Sequence, residues 1–263
     1  AGKTVYPYGV DGEVSTQTAG IGFDAYVYAV DSRYNPTTAS DRTIRITSDD
    51  PFYEVVGNFT MTNGTATITG ITFRTASPRR LTAEDISGSP PLVSATSIDI
   101  PVQPNTPTKL RVLVPGESRL DGDNNPVTRG RTGTPSSTLK AGEEFNVVVD
   151  ITDAFWNLVP GASQEIRVVI DDEFGNVIPS SQVVVTSATF TIIPRRAGPL
   201  TIRAEMVSDP PSWGPTLSVD TATPVNINPN VARRLLILLP GQDWWPGSYV
   251  GKKGSLDQTI TAG

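Results

Sequence analysis

The sequence predicts an all-β chain of tandem β-sandwich domains, and three observations predict it. Glycine and proline number 23 each among 263 residues, beside abundant Thr, Ser and Val, a composition of short strands joined by turns. Apolar and polar residues alternate over short runs, and no segment keeps a helical period. One stretch is written twice: "AGIGFDAYVYAVDSRYNPT" (19–37) returns as "AGEEFNVVVDITDAFWNLVP" (141–160).

The repeat sets the domain organisation. "AG" closes similar polar stretches at Gly20, Gly142 and Gly263, spaced 122 and 121 residues apart. "LRVLVPGE" from Leu110 returns as "LLILLPGQ" from Leu235, and "TIRITSDDPF" (43–52) returns as "EIRVVIDDEF" (165–174). The predicted domains are 1–107, 108–230 and a partial third repeat, 231–263, with boundaries near Pro107 and Asn230. The first domain lacks an "LRVLVPG" strand upstream, so its first strand is expected to be missing or supplied by a neighbour. The opening "AGKTVYPYG" has no initiator Met and no signal segment, and reads as a mature form, a fragment or an excerpt.

Each element follows from the period of its side chains. In the second copy Phe145, Val147, Val149 and Ile151 share one face of a strand, and Ile166, Val168 and Ile170 share one face of the next. Their counterparts are Phe23, Ala25, Val27 and Ala29, then Ile44 and Ile46. Turn residues punctuate each copy at the intervals of a sandwich. Leu235, Leu236, Ile237, Leu238 and Leu239 form an apolar run too short to span a bilayer, and the run reads as a buried strand. The outward row of the first strand is Asp24, Tyr26, Tyr28, Val30 in copy one but Asn146, Val148, Asp150, Thr152 in copy two. Tyr26 and Tyr28 therefore mark a face to be covered by a loop or by another subunit.

Composition removes several functions. A net charge of -6 and a pI near 4.8 argue against nucleic acid, because Lys and Arg are not gathered on any segment. The chain has no Cys and no His, which excludes thiolate chemistry and the Ser-His-Asp and Cys-His constellations. No G-x-S-x-G elbow or Walker loop occurs, and the S-x-x-K spacing of Ser137 and Lys140 lacks the helix that chemistry uses. The chain is expected not to be an enzyme and to carry no cofactor, apart from structural calcium.

Three sets of residues are candidates for binding. "DGDNN" sets Asp121, Asp123 and Asn125 at alternate loop positions, the opening logic of a calcium loop, without the closing Glu. Asp31, Asn35, Asp49 and Asp50 recur as Asp153, Asn157, Asp171 and Asp172, as metal ligands or as turn-forming side chains that cap their own backbone. Trp244, Trp245 and Tyr249 cluster in a Pro/Gly-rich loop, where flat rings can stack on a glycan or a partner, or fold over their own sandwich edge. Asn58 in "NFT" and Asn63 in "NGT" meet the glycosylation rule.

The pattern "PG…G…AG..F.V.V…D….N", then a strand, "DD" and "RRAGPLTIRAE", resembles the bacterial immunoglobulin-like repeats of large surface proteins, including invasin- and intimin-like adhesins. The first copy departs from it with "SPRRLTAEDIS". The resemblance implies tandem immunoglobulin-like domains in a rod-like arrangement, secreted to the bacterial cell surface and non-catalytic, serving as stalk, adhesive surface or filament unit. The expected partners are copies of the chain or adjacent repeats, and glycans or a host surface. The phase of the repeat suggests head-to-tail polymerisation, with Leu235–Leu239 completing the first domain of the next copy. The alternatives are an excerpt from a longer array and, from another class, a carbohydrate-binding module.

Overall fold

A computed structural model describes residues 12–38, 41–54, 57–207 and 216–255. Gly263, the third "AG" marker, lies outside the described residues. Among those described there are strands and turns and no helix. The chain divides into two units: residues 1–105 with 121–130 and 154–157, and residues 106–120, 131–153 and 158–263.

In the first unit the strands are β1 (Phe23–Tyr28), β2 (Thr43–Ser48), β3 (Asn58–Thr60), β4 (Thr65–Ile71), β5 (Leu81–Asp85) and β6 (Ala95–Thr96). One sheet has the order β3-β2-β5-β6, and β1 pairs with β4 alone, antiparallel. The alternation read from the sequence places Ile44, Ile46, Ala66 and Ile68 inward, where they meet Met61, Ile71 and Phe73 in one core.

In the second unit they are β7 (Lys109–Leu113), β8 (Phe145–Thr152), β9 (Ser163–Ile170), β10 (Asn176–Ile178), β11 (Ser181–Val185), β12 (Ser187–Ile193), β13 (Ile202–Met206) and β14 (Asp220–Thr221). Two four-stranded sheets, β10-β12-β8-β7 and β11-β9-β13-β14, form a sandwich. Leu110, Val112, Val147, Val149, Ile151, Ile166, Val168, Phe190 and Ile192 fill it. The order β11-β9-β13-β14 repeats β3-β2-β5-β6, and the pair β8–β12 repeats β1–β4. The fold is thus all-β, with the same sandwich plan in both units. Its copies differ at one edge: β8 is flanked on both sides, by β12 and β7, whereas among the described residues β1 has no strand on its second side.

The strand expected at Leu235–Leu239 is not buried. Leu235 is 101% and Ile237 74% exposed, and among the described residues the segment pairs with no strand. An apolar strand needs an open edge and a core to enter, and its own unit is already complete with β7.

Candidate functional site

Two features stand out from the core: a sheet edge on the first unit that is open among the described residues, and a corner built the same way in both units.

The edge belongs to β1. Its inward residues Phe23, Ala25 and Val27 are only partly buried, whereas their counterparts Phe145, Val147 and Val149 are buried in the complete sandwich. The difference is β7, whose Leu110 and Val112, followed by Val114, roof the second core. On the other face of β8, Val148 stands opposite Leu113 and Asp150 opposite Arg111. Asp150 and Arg111 are fully buried and bonded at 2.9 Å, and Arg119 and Ser187 also donate to Asp150. Burial works against the Asp150 carboxylate, but Arg119 and Arg111 outweigh it and hold its pKa below the usual range. The first unit has Tyr26 and Tyr28 at these two places, 63% and 53% exposed.

The corner explains the repeated "DD". Asp49 accepts the N–H of Arg80 at 2.8 Å, and Asp171 accepts that of Thr201 at 2.8 Å. Asp50 accepts the N–H groups of Phe52, Arg74 and Thr75, at 3.0, 2.8 and 3.0 Å. Asp172 repeats this with Phe174, Arg195 and Arg196, at 3.2, 2.6 and 2.9 Å. Each pair ties the end of a strand to a segment more than twenty residues later. Burial opposes ionisation of Asp50 as well, yet the Thr75 and Phe52 N–H groups prevail and lower its pKa.

Asp31 and Asp123 are used similarly. Asp31 accepts the Arg33 and Asn35 N–H groups and the Asn35 side-chain amide, and the Asn35 amide is the main cause of its lowered pKa. Asp123 accepts the N–H groups of Asn125 and Gly130 and the Thr128 hydroxyl, while Asn125 accepts from Val127. Asp153 is fully buried, and Asp121 offers its carbonyl to Thr75 at 3.5 Å. Among the described residues no three acidic side chains are gathered in a way that could hold a metal ion. The carboxylates of Asp31, Asp49, Asp50, Asp123, Asp171 and Asp172 staple turns and strand ends through these bonds.

A two-stranded hairpin also occurs twice. Arg131–Gly133 pairs with Glu117–Arg119, and Lys252–Lys253 with Asp243–Trp244. The two hairpins share close glycine contacts: a β-carbon on Gly133 would press on the Gly116 carbonyl, and one on Gly254 on the Gly241 carbonyl. In the first unit Gly122 leaves no room against Phe52 and Thr75; in the second, Gly247 lies over Arg196, with the same φ of +85°. The two tryptophans part here. Trp245 donates to Glu173 at 3.0 Å and packs edge-on against Phe174, while Trp244 is 67% exposed. Tyr249 lies over the Arg195 guanidinium, 5.4 Å from ring centroid to Cζ.

The first unit also contains residues 154–157, although by the repeat they belong to the second copy. Asn157 donates to the Arg74 carbonyl at 2.7 Å and accepts the Ala76 N–H at 2.9 Å. Phe155 lies over Arg74, 5.7 Å away, accepts the Gly122 N–H, and occupies the space a β-carbon on Gly20 would need. Trp156 is buried, and its φ of +63° matches the +64° of Tyr34, so the two turns share one backbone shape. Asn58 and Asn63 are exposed, Asn63 in a turn with φ of +49°. Ser137 lies in a turn, and Lys140 is beside Glu143.

No family model and no curated protein matches the chain. Solved structures do. The D0-D1 domain of intimin matches at 10% identity and a TM-score of 0.31, over 82% of this chain and 95% of that one. The Yersinia pseudotuberculosis adhesin InvE matches at 16% and 0.30, over 81% of this chain and 56% of that one. Domains 4 and 5 of the S-layer protein SbsC match at 13% and 0.27, over 70% and 75%. Among the described residues no helix is long and apolar enough to cross a membrane.

Proposed function

We propose that the chain is a non-catalytic structural module of the bacterial cell surface that assembles head to tail, Leu235–Leu239 of one copy completing the first unit of the next. The observation that carries this reading is the fit between the unpaired segment and the open edge. When the β7–β8 register is transferred by the repeat, Leu235, Ile237 and Leu239 take the core positions of Leu110, Val112 and Val114. The same register sets Leu238 opposite Tyr26 and Leu236 opposite Tyr28. Where the internal edge has a buried Asp–Arg pair, the open edge and the spare strand have tyrosine and leucine, an aromatic–aliphatic cross-strand match. Polarity has changed on both sides at once, as a strand and its own edge require. Such a contact does not close on itself and extends into a filament.

Light scattering with electron microscopy on the full chain, beside one ending at Asn230, tests it. Filaments from the first and monomers from the second are expected; monomers from both refute strand donation. A carbohydrate-binding module remains the second reading because Trp244 and Tyr249 are largely exposed. Retention on immobilised glycans that survives Trp244→Ala with Tyr249→Ala dismisses those rings as the site.

A further inference from the structure

The second unit carries a cavity of about 280 Å³ lined by Ala141, Gly142, Arg195, Gly247 and Ser248. Every one of these has a counterpart in the first unit: Ala19, Gly20, Arg74, Gly122 and Asp123. There Gly20, Arg74 and Gly122 surround Phe155, and Asn157 anchors the same turn on the Arg74 carbonyl and the Ala76 N–H. The matching groups of the second unit are available. A β-carbon on Gly142 meets nothing within 4 Å, and the Arg195 carbonyl and Ala197 N–H have no hydrogen-bond partner among the described residues. Arg195 Nε is buried and, among the described residues, also lacks a hydrogen-bond partner, whereas Arg74 is paired with Glu54.

We propose that this cavity receives the Asp31–Asn35 turn of a second copy of the chain. That turn is the counterpart of Asp153–Asn157 and shares its left-handed residue at Tyr34. It is exposed throughout, with Asn35 folded back on Asp31. On docking, Asn35 turns to the Arg195 carbonyl and the Ala197 N–H, repeating the two bonds of Asn157. Arg33 takes the place of Phe155, and the corner is altered to suit it. The aromatic partner that Phe155 supplies to Arg74 is built into the second unit as Tyr249, whose ring is 81% exposed and can take a second cation. Acceptors for Arg195 Nε come from the turn's carbonyls and the Asp31 carboxylate. The inference deepens the head-to-tail reading, since strand donation and turn docking join the same two units of successive copies.

The test uses the full chain with Gly142→Asn and, separately, Asn35→Ala. Asn tolerates the φ of +83° at residue 142 and has open space there in the free chain. Both variants are expected to keep the parent's melting temperature and to weaken association at least ten-fold in sedimentation. In the parent, the amide resonances of Asn35, Gly142, Gly247 and Ser248 should shift together as concentration rises. Association unaffected by both variants, or no concentration-dependent shift of these amides up to the millimolar range, overturns the proposal. Ile237→Lys separates the two readings. If it abolishes association while Gly142→Asn and Asn35→Ala do not, strand donation stands and turn docking fails. If association persists in Ile237→Lys and still depends on Gly142, turn docking stands and strand donation fails.

Discussion

Replacing Ile237 by lysine separates the stability of the chain from the stability of its assembly. In the single chain Ile237 is 74% exposed, so a lysine there stays in water. The monomer's unfolding free energy should change by less than about 0.5 kcal/mol, the usual range for surface substitutions. In the assembled state the residue takes the position of Val112, which is 0% exposed within the core. Loss of a fully buried Ile side chain costs about 2–3 kcal/mol. A lysine ammonium forced into that core without a partner adds several more, so the penalty is at least about 4 kcal/mol. That is roughly a thousand-fold in the dissociation constant. Sedimentation velocity across a concentration series reads the assembly, and calorimetry of dilute protein reads the monomer. A variant that assembles like the parent, or whose monomer melts well below it, would refute the reasoning, the first by freeing assembly of this strand and the second by burying Ile237 in its own chain.

Other predictions test the staples and the edge. Asp50→Ala leaves the N–H groups of Arg74 and Thr75 unpaired and should destabilise the first unit by about 2–4 kcal/mol, with Asp172→Ala doing the same to the second; separate calorimetric transitions read which unit responds. Arg111→Leu should cost about 3 kcal/mol, near the low end for a broken buried pair because Arg119 and Ser187 still hold Asp150; adding Asp150→Tyr, which rebuilds the pairing proposed for the open edge, should recover most of it in denaturant titrations. Asp31, Asp50, Asp85, Asp123 and Asp150 all have lowered folded-state pKa values, that of Asp85 falling to about 2 mainly through the Leu92 and Ser87 N–H groups. Their contribution is therefore complete above about pH 5 and lost as pH falls toward 2. A chain without His should show a flat melting temperature from about pH 5.5 to 7 and a steep fall below about pH 4. Excess chelator should leave the melt unchanged, because the oxygens of Asp50 and Asp172 are already engaged by N–H donors; a clear drop in melting temperature would return calcium to these loops.

The strands were legible because their signal is local. Phe145, Val147 and Val149 declare an inward face by period two alone. The role of Asp49, Asp50, Asp171 and Asp172 was not legible, since a repeated Asp pair reads equally as a cation site or a turn cap. Their donors, from Arg74 to Thr201, lie far along the chain and are backbone groups that carry no residue-type signature. Phe155 was hidden for the opposite reason: its counterpart is Arg33, so a search for positions alike in both copies passes over it. Trp156 and Tyr34 are aromatic at the same place in both copies, and what they share is a left-handed backbone while their burial differs.

What is repeated and what is varied in the two copies then have different physical meanings. The staples, the corner glycines and the left-handed turn are the same in both, because each holds backbone geometry that any sandwich of this plan needs. The changed positions fall at the sheet edge and at the corner: Asp150 and Arg111 against Tyr28 and Leu236, Phe155 against Arg33, Asp123 against Ser248 beside the added Tyr249. Random drift at exposed sites would change one side of such a pair and leave the other. Here the tyrosine row and the leucine row differ together from the ion pair they replace, and the arginine that lacks an incoming aromatic ring has acquired one from its own hairpin. Paired changes of this kind fit an edge and a corner that each have a partner of defined chemistry, and a copy of the same chain carries both partners.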